Sequence, residues 1–110
     1  MCGITAIFSS QQQSNGLISS LHELLLHRGP DYQNFKHINL ENHRHLYLLH
    51  NRLSIVDLTN AGHQPMYDEI TGVHLIFNGE IYNFRERRRT LETEGFILKS
   101  NTDSEVLLKG

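Results

Sequence analysis

A short apolar run rich in β-branched residues opens the chain and predicts a buried strand over residues 2–8 (CGITAIF). The first residue of that strand, Cys2, is the only cysteine among 110 residues. On position alone, Cys2 can be a small buried hydrophobe, because free cysteine packs well in protein interiors. If Met1 is removed, however, Cys2 carries a thiol nucleophile and a free α-amine, whose pKa of about 7.7–8.0 suits it as a base.

Helical and strand-like patterns follow one another along the rest of the chain. Apolar residues recur at helical spacing over residues 17–25, with Ser14 or Asn15 as the cap and Gly29-Pro30 as the stop; His27 and Arg28 are predicted in the last turn. Strand-like runs are predicted at residues 35–40 and 44–50, joined by a turn at 41–43, and at residues 52–58, 73–78 and 96–98.

Two more helices are predicted from their starting signals. One begins near Asn83, whose side chain forms a capping box with Glu86, and ends at Gly95. The other opens at Thr102-x-x-Glu105 and has little more than one turn before residue 110. Since a capped helix with an apolar stripe normally runs eight residues or more, the sequence is expected to be a fragment of a longer domain.

Composition and charge exclude several classes of protein. The net charge is −2, and the arginines of residues 85–89 are interleaved with glutamates, a pattern typical of a solvated helix face, so no nucleic-acid partner is expected. No apolar stretch reaches the ~18 residues of a spanning helix, and the start is not a basic leader, so no membrane partner is expected. A single cysteine favours a reducing compartment, which points to the cytoplasm.

Histidine is common in this chain, which contains eight of them, and a metal site has to be weighed. His43, His45 and His50 could lie on or beside one strand. Yet His43 and His45 flank a predicted turn, and no cysteine or carboxylate stands at ligand spacing. We therefore expect solvated or packed histidines and no metal.

Five segments carry a family resemblance, and they occur in order along the chain. They are Met1-Cys2-Gly3-Ile4, His27-Arg28-Gly29-Pro30-Asp31, Arg52–Asp57 (RLSIVD) with residues 61–66 (AGHQPM), residues 77–83 (FNGEIYN), and Thr102-Asp103-Ser104-Glu105. Together they resemble the glutaminase domain of glutamine-hydrolysing asparagine synthetase, a class II glutamine amidotransferase with an N-terminal cysteine nucleophile. Arg28 and Asp31 are expected to orient the helix end and its loop, and His63 and Gln64 to shape a turn beneath the pocket.

The resemblance implies a thioester mechanism and an oxyanion hole. Cys2 would attack the side-chain amide of L-glutamine, and water would then cleave the thioester to release glutamate and ammonia. Asn78, through its side-chain amide, and Gly79, through its backbone N–H, would donate to the developing oxyanion. Taken on its own, Asn78-Gly79 is also the common signal for a two-residue hairpin turn.

The two charged ends of glutamine require complementary groups. Arg52 can hold the α-carboxylate with a bidentate fork, and Asp103 can pair with the α-ammonium. Viewed separately, Arg52 is also an ordinary strand-end arginine, and Asp103 an ordinary cap or first-turn acid. By resemblance, backbone groups complete the substrate site; these belong to Leu53, Ser54, Ile55, Val56 and Glu80.

The implied fold is α+β: part of an N-terminal-nucleophile hydrolase fold, with antiparallel sheets flanked by helices. Residues 1–110 would form an incomplete amidotransferase domain, without the synthetase domain that uses ATP and Mg²⁺, and no cofactor is expected in this chain. The fragment should by itself bind glutamine poorly and make no asparagine, and a homodimer is one expected assembly. Two alternatives stay open: a related amidotransferase with a sugar or antibiotic intermediate as acceptor, and a non-catalytic binding or dimerisation remnant.

Overall fold

Helices and antiparallel sheets share the chain, as a computed structural model that describes residues 2–54 and 59–110 shows. The described elements are β1 (Gly3–Ser9), α1 (Asn15–Leu24), β2 (Tyr32–Leu40), β3 (Arg44–Arg52), a 3-10 turn (Asn60–Gly62), β4 (Met66–Tyr67), β5 (His74–Leu75), α2 (Phe84–Thr93) and α3 (Asp103–Lys109). The predicted α+β class is confirmed. None of the helices within these ranges is long and apolar enough to cross a membrane.

The main sheet has β3 at its centre, in the order β1-β3-β2 with every pair antiparallel. Side chains alternate between the two faces of a strand, so residues two apart share a face. On one face Tyr47 and Leu49 of β3 pack with Ile18 of α1 to form the core. The neighbouring positions, His50 and Arg52, therefore point to the opposite face.

The hairpin of β2 and β3 confirms the prediction of two strands joined at residues 41–43. Asn42 and His43 adopt positive φ values of 60° and 58° there, which let the chain reverse within three residues. Both strands are longer than predicted, since β2 begins at Tyr32 and β3 continues to Arg52. Of the strand predicted at residues 52–58, Arg52 belongs to β3, residues 53–54 are irregular, and residues 55–58 lie outside the described part.

Helix α1 begins as predicted and ends earlier. The Ser14 hydroxyl accepts a hydrogen bond from the Leu17 N–H at 3.1 Å and so caps the first turn. The helix stops at Leu24, so His27 and Arg28 lie beyond its end and not in its last turn. From its position beyond the helix, Arg28 donates a hydrogen bond from Nε to the Cys2 carbonyl at 3.1 Å.

Three local predictions, a helix cap and two strands, are wrong. Asn83 precedes α2 but makes no side-chain cap, since its ψ of 27° departs from the extended backbone that a cap requires. The strand predicted at 73–78 is only His74–Leu75, because the Phe77 N–H bonds to the side chain of Gln64 instead of a ladder partner. The strand at 96–98 does not form, and the amides that follow it bond to the Glu105 carboxylate.

Helix α3 is held at both ends, which matters because its first turn faces the pocket described below. The Thr102 hydroxyl accepts from the Glu105 N–H at 3.3 Å, as its sequence signal predicts. At the other end Lys109 Nζ forms an ion pair with Asp68 at 2.8 Å. Hydrogen bonds from Lys109, and then from Thr71, hold the pKa of Asp68 at about 2.

Candidate active site

A pocket of about 490 Å³ opens on the sheet face opposite α1. Its volume falls in the ~300–1,000 Å³ range typical of small-molecule sites. Seven residues predicted to act on or bind glutamine line it: Cys2, Arg52, Leu53, Asn78, Gly79, Glu80 and Asp103. Segments far apart in sequence therefore meet here, as the family resemblance implies for a single site.

The Cys2 sulfur lies at the end of the main sheet, next to the segment that follows β3. The pairing of Gly3 with Asn51 brings residue 2 alongside that segment. The Leu53 N–H donates to Sγ at 3.3 Å, and the thiol donates to the Leu53 carbonyl at 3.8 Å. With Arg28 on the Cys2 carbonyl, backbone and thiol are both fixed, while the residue stays partly exposed.

Arg52 is the last residue of β3 and is only 4% exposed. Its Nη1 donates to the Thr59 carbonyl at 2.7 Å, which aims the guanidinium along the pocket wall. Gly62 makes room for it: a Cβ added there would collide with Nη2 and lie 2.8 Å from Cζ. The close fit of glycine against the guanidinium fixes where the positive charge sits.

Asn78 and Gly79 lie in an irregular segment between β5 and α2. No strand follows Gly79 among the described residues, and the chain instead enters α2 at Phe84, so this Asn-Gly pair does not connect two strands of a hairpin. An added Cβ at Gly79 would lie 3.1 Å from the Phe77 ring, so glycine is what allows this close approach. Glycine has no side chain of its own beside its backbone N–H.

Asp103 is the first residue of α3, as expected if it were only a first-turn acid, and it also lines the pocket. Its Oδ2 accepts from the Ile81 N–H at 2.9 Å. Within the described part of the chain, its other oxygen accepts no hydrogen bond. One carboxylate oxygen thus orders the segment that carries Asn78 and Gly79.

The remaining predicted substrate contacts divide into three groups. Leu53 and Glu80 line the pocket. Ser54 lines a neighbouring depression, and its N–H donates to Asp31 Oδ2 at 2.7 Å, which gives Asp31 the loop-ordering contact expected of it. Ile55 and Val56 lie outside the described residues, so their role stays a prediction.

Seven further residues line the pocket without having been predicted as part of the binding site: His50, Gly62, Gln64, Phe77, Tyr82, Thr102 and Ser104. Sequence patterning placed His50 on a predicted strand, where it does lie, and the resemblance implied that Gln64 shapes a turn beneath the pocket. Alternation along the strand could have placed His50, two residues before Arg52, on the pocket face. Of the three histidines weighed as a metal site, His45 bonds to His37 at 2.8 Å. The described residues contain no group of side chains suited to a metal ion.

His50 is almost completely buried, with 1% of its surface exposed, and neither ring nitrogen has a hydrogen-bond partner among the described residues. Burial disfavours the charged imidazolium and is the main cause that lowers the pKa of His50 to about 4. Arg52, His22 and His63 lower this pKa further, and the backbone of Phe77 opposes the shift. At neutral pH the pocket wall therefore presents an uncharged imidazole beside the Arg52 cation.

A neutral buried histidine makes stability depend on pH. The pKa of His50 is lower in the folded chain than in the unfolded one, so the unfolded chain binds more protons between pH 4 and 6.5. The free energy of unfolding should fall as the pH drops through this window, by at most about 3 kcal/mol from His50. Urea unfolding at several pH values measures it, and His50→Leu should flatten the slope.

Burial also lowers the pKa values of His63 and His74. These two histidines add a smaller decrease of the unfolding free energy as the pH falls, and this decrease persists in His50→Leu. His27 is exposed, so His27→Gln is the matched control. The unfolding free energy of this variant should depend on pH as steeply as that of the wild type. A His50→Leu chain that keeps the full wild-type slope would contradict the assignment.

Comparison with known proteins identifies the family of this chain. The model of the glutamine amidotransferase domain family matches residues 1–110. The chain is 36% identical over 113 residues to asparagine synthetase [glutamine-hydrolyzing] 1 of Bacillus subtilis (strain 168), covering 98% of this chain, and 40% identical over 110 residues to a Zea mays asparagine synthetase, covering 97%. It is 37% identical over 123 residues to Amidase chry2 of Gibberella zeae, covering 98% of this chain. The chain spans 17% of the length of each of these relatives. It belongs to the glutamine amidotransferase domain family.

Proposed function

We propose that this chain is the nucleophile-bearing part of a class II glutamine amidotransferase domain, with an N-terminal-nucleophile fold, that hydrolyses L-glutamine through a Cys2 thioester. One observation carries the proposal: a single pocket is lined by a thiol, a buried arginine, a carboxylate and an Asn-Gly pair. Each of these groups matches one part of glutamine or of its transition state. The family match supports glutamine as the substrate.

Glutamine would be recognised through charged groups that complement its α-carboxylate and its α-ammonium. The Arg52 guanidinium, held by Thr59 and seated on Gly62, would bind the α-carboxylate through paired N–H groups. The unoccupied oxygen of Asp103 would accept from the α-ammonium. Together they would orient the side-chain amide of the substrate toward Cys2.

The first chemical step forms the thioester. After Met1 is removed, the Cys2 α-amine would take the thiol proton as the sulfur attacks the amide carbon, and it would return that proton to the leaving nitrogen. The carbon–nitrogen bond then breaks and ammonia leaves. The Asn78 side chain and the Gly79 N–H would bind the negative oxygen of the intermediate, and a lost donor of this kind typically costs about 10²–10³ in rate.

Water completes the cycle. The amine would accept a proton from the attacking water, the carbon–sulfur bond would break, and the proton would restore the Cys2 thiol as glutamate leaves. The neutral His50 imidazole in the same wall adds no positive charge beside Arg52. The substrate carboxylate would therefore have Arg52 as its cationic partner on that wall.

We further propose that the ammonia serves ATP-dependent asparagine formation in the cytoplasm, in a synthetase domain that uses Mg²⁺. The similarity to asparagine synthetases of Bacillus subtilis and Zea mays favours this acceptor. A homodimer stays a prediction. One similar protein, Amidase chry2, is not named as an asparagine synthetase, so the second candidate, an amidotransferase with a different acceptor, is kept for the test. Adding aspartate, or another acceptor, with ATP to the full-length protein separates the two.

Glutamine hydrolysis by the purified chain tests the proposal. Glutamate and ammonia should appear in equal amounts, more slowly than from an intact amidotransferase, and the Cys2→Ala chain should release neither above background, because no thioester can form. Equal release by the two chains would assign the activity to another group or to a contaminant. Release by neither would leave the non-catalytic binding module as the better account.

The substrate-binding role of Arg52 can be tested without turnover. Bound glutamine should slow alkylation of Cys2 by iodoacetamide, and the glutamine concentration that halves the rate measures affinity. Arg52→Lys should raise this concentration about tenfold, since a paired hydrogen bond to carboxylate is lost. Gly62→Ala should raise it too, because the added Cβ displaces the guanidinium.

Two variants serve as controls for these substitutions. Arg44→Lys lies at the exposed start of β3, and a Cβ at Gly16 would meet only the Ser14 hydroxyl at 3.9 Å. Neither Arg44→Lys nor Gly16→Ala should change the protection by glutamine. An Arg52→Lys chain protected as well as the wild type would remove Arg52 from the binding site.

A further inference from the structure

The segment that carries Asn78 and Gly79 has no regular secondary structure, yet it is held at both ends. It leaves β5 at Leu75 and enters α2 at Phe84. Irregular backbone of this kind is usually mobile unless other groups bind its amides. Here the N–H of Phe77 and the N–H of Ile81 are both bound by side chains from elsewhere in the chain.

The bond at the first end comes from Gln64. This side chain is buried, with 4% exposure, and its Oε1 accepts from the Phe77 N–H at 2.6 Å. Its Nε2 donates to the Ser104 hydroxyl at 3.0 Å. A backbone N–H can only donate, so the atom facing Phe77 must be the amide oxygen, which fixes the orientation of the whole side chain.

Both ends lead to the same turn of α3. Ser104 orients Gln64, and its neighbour Asp103 binds Ile81 directly. That turn is itself positioned by the Thr102 cap and, at the far end of the helix, by the ion pair of Lys109. The segment from Phe77 to Ile81, which carries the two proposed oxyanion donors, is therefore held at both ends by side chains that depend on the first turn of α3.

We propose that Gln64 is a positioning residue that preorganises the oxyanion donors by holding the Phe77 peptide. The proposal rests on the proposed function, since it assumes that Asn78 and Gly79 bind an oxyanion. Gln64 binds the N–H of Phe77, the residue before Asn78, so it acts on Asn78 through the backbone. Preorganised donors lower the barrier because they need no rearrangement when charge develops.

Positioning predicts a specific pattern of kinetic change. Among the described residues, the hydrogen bonds of Gln64 go to Phe77 and Ser104, and neither goes to Arg52 or Asp103, the residues proposed to bind the ends of glutamine. Loss of Gln64 should therefore lower kcat and leave the affinity for glutamine unchanged. A residue needed only for folding would change both together.

The test compares three variants of the chain. Gln64→Met removes both bonds at similar volume and should lower kcat for glutamate release by about 10- to 100-fold, less than outright loss of a donor. Gln64→Glu keeps an acceptor for Phe77 and should recover part of that loss. Gln33→Met is the matched control, because Gln33 also binds a backbone group, the Gly29 carbonyl at 2.9 Å, but lies outside the pocket.

Two further readouts separate positioning from stability. Glutamine protection of Cys2 against alkylation should be the same in Gln64→Met as in the wild type. Hydrogen exchange of the Phe77 amide should be faster in that variant, while the amide of Ile18, bonded to the Ser14 carbonyl within α1, should exchange as before.

The outcomes discriminate between the hypotheses. An unchanged kcat in Gln64→Met overturns the positioning role, as does a kcat that falls together with glutamine protection and with protection of Ile18. Loss of glutamate release in Cys2→Ala with normal release in Gln64→Met rejects this inference alone. Release that survives Cys2→Ala, or is absent from the wild type, rejects the proposed function and this inference with it.

Discussion

Alternation along β3 is the constraint on which the rest of the structure depends. Asn51 points toward α1, is fully buried, and exchanges two hydrogen bonds of 2.8 Å with the side chain and carbonyl of His22. Because the buried Asn51 side chain forms hydrogen bonds through both its oxygen and its nitrogen, it fixes the position of α1 relative to β3. The residues on either side, His50 and Arg52, must then face the pocket. One buried contact thereby positions the charge proposed to bind substrate.

Side chains, not strand pairing, organise the other wall of the pocket. Gln64 and Asp103 bind backbone amides near Asn78, and the Glu105 carboxylate accepts from the amides of residues 99 and 100. Hydrogen bonds to buried side chains hold irregular backbone in a defined conformation, without the extended geometry that strand pairing would impose. Irregular backbone leaves amides available for an oxyanion, and this suits the proposed chemistry.

Local patterns were sufficient to predict part of the fold. The strand at the start of the chain, the cap of α1 and the turn at residues 41–43 depend on neighbouring residues, and all three were predicted, the cap as Ser14 or Asn15. The strand at 96–98 was wrong because the amides beyond it bond to Glu105, a contact that no local pattern reveals. The resemblance predicted pocket residues through motif order, but it did not identify His50 as part of the wall, since burial is decided by packing.

The central claim is that Cys2 is the nucleophile of a pocket that recognises glutamine. The most direct test is the intact mass of the chain before and after incubation with 6-diazo-5-oxo-norleucine, an electrophile shaped like glutamine. The account predicts loss of Met1 and a single adduct on Cys2 that excess glutamine blocks. Retention of Met1, or an adduct that glutamine does not prevent, would contradict it.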